Sequence, residues 1–342
     1  TGRDNLSINS DCYALYKDLK ESGSKDENKW KNLCFLWSSD FRTHITDKRW
    51  KAYKKVLSSE LKNISKSENA VQTSSFSPEF NYIKNDRYLK VEGKGIEVAF
   101  NLRKGMSISS LVFQEISPEP LLGEIPFGKY SDIALAADFF SGHSIVEKPA
   151  EHKASSLSQV NPVIIKCRNG LLKLKAESES GGIQFLSSYK ISSNYIELTR
   201  ELIFPYRSPA KIIQYAFTMI PENWDIASLY YETHNGGSCP ERYLLGESIS
   251  IPQSPLSLLV SSKQGMGATE GIIKIGDKNK SLVFSFRQDL SALIPSMIFQ
   301  KSDCGKYFLR LNLSAGETDE TFRQSPKKYS VQSVIKISSE KL

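Results

Sequence analysis

Apolar residues recur at helical spacing through roughly the first 68 residues of the chain. Each of three such runs follows an acidic residue that can cap a helix, namely Asp11, Asp26 and Asp47. The pattern therefore predicts three helices. Their apolar positions are Tyr13, Leu15, Tyr16 and Leu19, then Trp30, Leu33, Cys34, Phe35, Leu36 and Trp37, then Trp50, Tyr53, Val56, Leu57 and Leu61.

From about residue 81 the apolar period changes from that of a helix to two. Alternating runs separated by short turns, with no helical run between them, are typical of a large antiparallel β-sandwich. The clearest runs are 96–102, 172–176, 183–186, 195–204, 282–286 and 307–313. The predicted fold class is α+β, mainly β, with a helical bundle segment at 1–68, a Ser-rich linker at 69–80 and the sandwich at 81–342.

Two interpretations of particular residues follow from these runs. The second helix is apolar on more than one side, because Phe35, Leu36 and Trp37 are consecutive, so we expect the bundle to pack directly on the sandwich. Arg200 and Glu201 are neighbours in a predicted strand, and we interpret them as a solvated or cross-strand charge pair.

Composition and charge narrow the class of protein. Hydrophobic residues make up 39% and charged residues 24%, and the net charge of +7 is spread thinly along the chain. Without a long basic block or an apolar run that could span a bilayer, we expect neither a nucleic-acid nor a membrane partner. The five cysteines are far apart and form no CxxC pair, which favours a reducing, cytoplasmic location.

One stretch concentrates protonatable and aromatic groups beside a turn, which suits a ligand site better than a core. It runs over residues 138–147, and it contains Asp138, His143 and Glu147, with His152 just after it. The alternative is a polar loop whose histidines satisfy backbone groups.

A second candidate lies where the second helix ends. Trp37, Asp40, Arg42 and His44 fall within eight residues there, and the last three are spaced two apart. That spacing cannot place all three on one helix face, so we expect them where the helix unwinds into a loop. The alternative is that Asp40 and Arg42 simply pair or cap the helix.

A third candidate loop, 229–237, places Tyr231, Glu232 and His234 before two glycines. Aromatic faces pack on the C–H surfaces of sugars, and carboxylates hydrogen-bond hydroxyl groups. The alternative is the end of a strand with a Gly-Gly turn. All four histidines lie in these three stretches, and three of them with Asp138 would make a set of zinc ligands. No HxxxH spacing occurs, however, so we expect no metal and no cofactor.

The run from Leu33 to Phe41 resembles the last characteristic segment of glycoside hydrolase family 57, in which an apolar helix ends in a small-small-Asp-aromatic sequence beside the sugar site. Arg49, Trp50 and Tyr53 resemble the helix that follows there. The chain departs from the family at 42–44, where better-known members carry more apolar or aromatic residues.

The order of the parts is similar to the C-terminal half of several glycoside hydrolases that act on α-linked sugars, whose sandwich resembles that of galactose mutarotases. The segment from Asn101 to Leu111 looks like the early hairpin of such sandwiches. The family's catalytic barrel would lie upstream of Thr1, where the chain starts without Met, so the resemblance implies a fragment or processed product.

Three functions stay open at this point. The resemblance implies the C-terminal region of a glycoside-hydrolase-like protein that helps to form an α-glycan site, with an upstream catalytic domain or chain as partner and no complete catalytic pair of its own. The second is an aldose-epimerase-like enzyme, in which His143 or His234 works with Glu147 or Glu232 as acid and base. The third is a non-catalytic module for carbohydrate binding or domain packing.

Overall fold

The structure is a computed structural model. It describes residues 5–41, 46–65, 80–125, 139–166, 171–235, 238–245, 267–287, 290, 293–301, 307–316 and 326–341. The three predicted helices are confirmed as α1 (Asn5–Glu21), α2 (Glu27–Leu36) and α3 (Asp47–Ser65). Asp26 caps α2 as expected, since its side chain accepts hydrogen bonds from the backbone N–H groups of Asn28 and Lys29.

The helical segment has a core of its own, in which nine of the described residues are buried and to which no described residue of the sheets contributes. Trp30 and Trp37 pack against this core, whereas Phe35 is 59% exposed. The expectation that large side chains of α2 are buried against the sandwich is therefore wrong for Phe35. The second helix is apolar on two sides because Trp30 and Trp37 both contact the ring of Tyr16 of α1.

In the described residues after the helices there are nineteen strands, which form three antiparallel sheets. The first sheet contains five strands in chain order: β1 (Asn81–Lys84), β2 (Tyr88–Gly93), β3 (Ile96–Asn101), β4 (Ser107–Phe113) and β5 (Leu122–Gly123). The predicted hairpin from Asn101 to Leu111 is confirmed, because β3 pairs with β4 through a short 3-10 helix, Leu102–Lys104, and Gly105.

The other two sheets pack against each other. The remaining strands are β6 (His143–Glu147), β7 (Ala154–Ser155), β8 (Val163–Lys166), β9 (Leu172–Ser180), β10 (Ile183–Ile191), β11 (Tyr195–Phe204), β12 (Lys211–Thr218), β13 (Tyr230–Thr233), β14 (Glu241–Leu244), β15 (Ile272–Gly276), β16 (Lys280–Phe286), β17 (Ile294–Lys301), β18 (Tyr307–Gly316) and β19 (Tyr329–Lys341). The nine-stranded sheet has the order β14-β13-β15-β16-β19-β11-β10-β9-β8, and the smaller one has the order β17-β18-β12-β6-β7.

The predicted fold class is confirmed: a short helical segment precedes a large antiparallel β-sandwich. One apolar core joins all three sheets, and in it Phe217 of β12 lies 5.3 Å from Phe284 of β16, measured between ring centroids. Residues 69–79 of the expected linker lie outside the described residues, while Phe80 is 7% exposed and packs into this core.

A buried hydroxyl group ties the two packed sheets together. Tyr215 of β12 places its hydroxyl 3.1 Å from the carbonyl oxygen of Leu198 and 2.9 Å from that of Ser333, on neighbouring strands of the larger sheet. The hydroxyl also accepts a hydrogen bond from Ser333 Oγ. Burial raises the pKa of Tyr215, so the group stays protonated and can donate.

Removing this hydroxyl should lower stability. We expect Tyr215→Phe to reduce the free energy of unfolding by about 1–3 kcal/mol, because the substitution leaves buried carbonyl and hydroxyl groups without their partner. Urea denaturation followed by circular dichroism measures the change. Tyr206→Phe is the matched control, since Tyr206 is 43% exposed, and an equal loss in both variants would contradict the assignment.

Two stretches that we expected to be polar loops are strands. Residues 143–147 form β6, and all but Glu147 are buried, while residues 230–233 form β13, which is buried throughout. Neither shows the period of two, because consecutive residues of each strand are buried and both of its faces are therefore covered. His143 therefore lies in a buried strand rather than in a polar loop.

Candidate functional site

A cleft of about 460 Å³ opens where the first sheet meets the segment that leads into β6. Seven of the described residues line it: Arg87, Asn101, Arg103, Lys104, Glu124, Ile125 and Phe140. They come from the β1–β2 turn, the 3-10 helix after β3, the end of β5 and the residues just before β6. Phe140 belongs to the stretch that the sequence singles out, and the other six do not.

The backbone around the 3-10 helix holds the basic side chains in place. Asn101 caps this helix, since its Oδ1 accepts a hydrogen bond from Arg103 N at 3.2 Å. Gly105 ends it with φ +64°, and a Cβ there would overlap the carbonyl oxygen of Ser156. Only glycine combines this left-handed backbone with so close an approach. Arg103 and Lys104 consequently project from a tightly fixed turn.

Glu124 is the acidic group of the cleft. Its Oε1 accepts hydrogen bonds from Asn101 Nδ2 at 2.9 Å and from Ser107 Oγ at 3.1 Å. Burial raises the pKa of Glu124, and the two hydrogen bonds together with the charges of Arg87 and Lys104 oppose that rise. No side chain or backbone group in the described part of the chain bonds its Oε2, which is left for a ligand.

A buried polar group lies behind Phe140. The rings of Phe140 and His143 meet edge to face, with centroids 6.5 Å apart. His143 is 1% exposed, and its Nε2 lies 3.4 Å from Nη2 of Arg310, whose Nε donates to Asn312 Oδ1. Burial first, and then the charges of Arg310 and Arg200, hold the pKa of His143 well below its usual value. The imidazole is therefore neutral at pH 7.

Arg200 lies in the core between the packed sheets and is 1% exposed. Its Nη2 donates to the carbonyl oxygen of Gly142 and, at 3.4 Å, to the hydroxyl of Tyr189. Its Nε and Nη1 are buried and have no hydrogen-bond partner within the described ranges. The interpretation of Arg200 and Glu201 as a solvated or cross-strand pair is wrong, because the alternation of β11 turns Arg200 inward with Leu198 and Leu202.

The candidate residues at the end of α2 do not form a described site. Trp37 is half-buried and packs against the core of the helices. Asp40 lies in a 3-10 turn, Ser39–Phe41, and is exposed. Arg42 and His44 lie outside the described residues, as does Asp138 of the other candidate stretch.

The candidates on β6 and beyond it face different surroundings. His143 is buried, as above, whereas Glu147 at the end of the same strand pairs with Lys153 Nζ at 2.6 Å. His152 is exposed on the surface. Across the described ranges no three His, Cys, Asp or Glu side chains converge on a position that could hold a metal ion.

The candidates on and after β13 divide between the core and the junction with the helices. Tyr231 is 1% exposed and belongs to the core, and Glu232 pairs with Arg242 at 2.7 Å and Lys274 at 3.7 Å. His234 is 8% exposed, with its Nδ1 3.6 Å from Glu270 Oε1.

Helix α1 contributes to this junction through one tyrosine. The ring of Tyr13 lies 5.5 Å from that of His234, measured between centroids. Burial, and then a hydrogen bond with Glu270, raises the pKa of Tyr13 to about 12. The contact is polar and aromatic rather than aliphatic. It differs from the apolar packing that we expected between the two parts.

Sequence reasoning missed most of the cleft and both buried arginines. For Arg200 a signal exists, since a charged residue in phase with the apolar face of β11 must be buried with it. For the cleft no such signal exists. Arg87, Asn101 and Glu124 meet only through the pairing of β2, β3, β4 and β5.

In the described part of the chain no helix is both long and apolar enough to cross a bilayer.

Comparison with known proteins gives structural likeness at low sequence identity. No protein-family model matches the sequence, and no curated protein matches it. A galactose mutarotase-like protein from Clostridium acetobutylicum is similar, with a TM-score of 0.46 and 10% identity over 78% of this chain and 99% of that one. A putative aldose 1-epimerase from Escherichia coli K12 gives a TM-score of 0.41 and 11% identity over 78% of this chain and 100% of that one.

A third likeness extends over the helical segment as well as the sandwich. The 4-alpha-glucanotransferase from Thermococcus litoralis covers 100% of this chain with 50% of its own length, at a TM-score of 0.34 and 10% identity. All three TM-scores are below 0.5, so none of these likenesses assigns the chain to a family or gives it an activity.

Proposed function

We propose that this chain is a carbohydrate-binding region of a glycoside-hydrolase-like protein, related to family 57, with a galactose mutarotase-like sandwich, and that it contributes to an α-glycan site. The cleft around Glu124 is where it meets the sugar. One observation carries the proposal: a half-buried carboxylate keeps Oε1 in bonds to Asn101 and Ser107 and leaves Oε2 without a partner among the described residues.

The remaining lining suits a sugar ring. A hydroxyl group donates to a carboxylate oxygen, and the second hydrogen of Asn101 Nδ2 is available to a ring or hydroxyl oxygen. Ile125 and Phe140 give the cleft an apolar side, although each is only about 5% exposed, and a cleft of about 460 Å³ holds one or two sugar units. The sites proposed from sequence at Asp40, His143 and Glu147 stay hypotheses for other parts of the same surface.

Catalysis by this chain alone is not part of the proposal. A retaining pair needs two carboxylates about 5 Å apart, and the described residues that line the cleft include no second carboxylate beside Glu124. We infer that hydrolysis or transfer requires an upstream catalytic domain or another chain. An assay of the chain by itself against α-glucan and mannan oligosaccharides should show no turnover, and turnover would refute this inference.

The aldose-epimerase-like alternative has one observation in its favour. His234 and Glu270 bring an imidazole and a carboxylate within 3.6 Å, which is the kind of acid–base pair that sugar ring opening needs. His234 is only 8% exposed, however, and Tyr13 lies against its ring. An unchanged rate of mutarotation of fresh α-glucose, measured by polarimetry, would rule out this function for that sugar.

The proposed sugar binding is tested most directly at Oε2 of Glu124. We expect Glu124→Gln to weaken the binding of an α-glucan oligosaccharide about tenfold, because the variant replaces an acceptor toward the ligand with a donor while it keeps the shape of the side chain. Isothermal titration calorimetry with maltotetraose measures the affinity.

The control is Glu119→Gln, which removes an exposed carboxylate between β4 and β5. It should bind maltotetraose as the unmodified chain does. Equal affinities in the unmodified chain and in Glu124→Gln would show that the cleft is not the sugar site.

A further inference from the structure

The cleft holds an excess of positive charge that the proposed function does not explain. Arg87, Arg103 and Lys104 line it, and among the described residues of the lining Glu124 alone carries a carboxylate. All three cations are exposed, and none is joined to a carboxylate by an ion pair in the part of the chain that the structure describes. The charge of the lining is therefore strongly positive.

Several basic side chains elsewhere on the sheets pair with acids, although Lys173 and Lys175 of β9 have no ion pair among the described residues. Lys90 pairs with Glu92 and Glu97, at 2.8 and 3.0 Å. Lys153, Lys190 and Lys274 pair with Glu147, Glu197 and Glu340 at 2.6, 2.6 and 2.8 Å. What distinguishes the cleft is that three cations without an ion pair among the described residues line one concave site, where a ligand can neutralise their charge.

Backbone hydrogen bonds hold together the two turns that carry the three cations. Leu102 N donates to the carbonyl oxygen of Arg87 at 2.7 Å, which fixes the β1–β2 turn against the 3-10 helix. The side chain of Asn85 accepts from Arg87 N and Tyr88 N, so the turn is itself fixed. Preorganised charges lose less entropy when they bind a ligand.

The acid in the cleft cancels only part of this charge. Glu124 supplies one negative charge against three positive ones, and its Oε1 already accepts hydrogen bonds from Asn101 and Ser107. The Lys104 ammonium lies 5.4 Å from the ring centroid of Phe140, so the cation is beside the apolar side of the cleft. A ligand with an anionic group next to a ring would contact both features.

From these contacts we propose that the cleft takes an acidic glycan, in which a sugar unit carries a carboxylate, sulfate or phosphate group that Arg103, Lys104 and Arg87 bind. The inference rests on the proposed function, because it names the class of sugar that the same cleft accepts. Guanidinium groups bind such oxyanions with two parallel hydrogen bonds, and the ammonium adds a point charge.

The test compares two ligands that differ only in charge. Maltotetraose is neutral, and oxidation of its C6 hydroxyl groups gives the tetraglucuronate with the same backbone. Isothermal titration calorimetry on the full chain should give an affinity for the tetraglucuronate about tenfold higher at low ionic strength. The difference should shrink at about 1 M salt, where the screening length is only about 3 Å.

Two double variants locate the effect. Arg103→Gln with Lys104→Gln should reduce the affinity for the tetraglucuronate about tenfold and leave maltotetraose unchanged. Lys173→Gln with Lys175→Gln removes the same charge from β9, outside the cleft, and should change neither affinity.

The outcomes separate the inference from the proposed function. Equal binding of both sugars, reduced in Glu124→Gln, would overturn the inference and keep the sugar site. Binding of neither sugar would overturn both. Tetraglucuronate binding that ignores the cleft variants, or an oligothymidylate bound as tightly as the tetraglucuronate, would overturn the inference in favour of a general affinity for polyanions.

Discussion

Below pH 6.5 the protein is expected to lose about 1.4 kcal/mol of unfolding free energy per pH unit through His143 alone. In the folded chain burial and the charges of Arg310 and Arg200 hold its pKa well below the ordinary histidine value. The unfolded chain therefore binds a proton that the folded chain excludes. The contribution of neutral His143 to the unfolding free energy is fully present above pH 6.5, and it is lost as the pH falls toward the lowered pKa.

This loss is measured as a difference between two chains. Urea denaturation at several pH values between 7 and 5, on the unmodified chain and on His143→Gln, should give a steeper decline in the unmodified chain. The variant lacks the titrating group, while the carboxylates that also titrate toward pH 5 are shared by both.

His152→Gln is the matched control, because His152 is exposed and its removal should leave the steep decline in place. Parallel pH profiles in the unmodified chain and in His143→Gln would show that the folded protein accepts the proton. His143 would then lie in a more polar environment than its 1% exposure implies.

Truncating Arg200 is expected to reduce the free energy of unfolding by about 3–5 kcal/mol. Arg200→Ala empties a large volume between the packed sheets and leaves the carbonyl oxygen of Gly142 without its donor. Arg200→Met fills much of the volume and removes the two nitrogens that have no partner, so its loss should be about 2 kcal/mol smaller.

Arg200→Met also carries a second readout. Without the neighbouring charge the pKa of His143 should rise, since Arg200 is one of the two cations that lower it. The acid-side decline of stability should therefore end at a higher pH in Arg200→Met. Equal losses of stability in the alanine and methionine variants would mean that the hydrogen bonds of Arg200 outweigh its volume.

The sandwich could be predicted from sequence because alternating apolar and polar residues show which face of each strand is buried. In β11 residues 195–204 alternate without a break, and the structure buries every second one. In β18 alternation is present in the sequence, yet Arg310 and Asn312 are buried as completely as Leu309 and Leu311, because the strand has neighbours over both faces. Alternation gives the side on which a residue lies, but it cannot tell whether that side is covered.

The polar residues explain why the lining of the cleft could not be predicted from the sequence, whereas the fold class could. His143 and Tyr231 were selected for their chemical types, and both are buried in strands that carry no period. The cleft depends on contacts such as Asn101 with Glu124, which are 23 positions apart and meet through strand pairing. A short motif cannot encode a contact of that kind.

The separate core of the helices affects how unfolding can be observed. Three of the four tryptophans, Trp30, Trp37 and Trp50, belong to the helices, and Trp224 alone belongs to the core of the sheets. Because the two cores share no residue, they can melt as separate cooperative units, so one transition need not describe both. Intrinsic fluorescence would then follow mainly the helices, whereas amide hydrogen exchange in β11 and β12 would follow the sandwich in which Arg200 and Tyr215 lie.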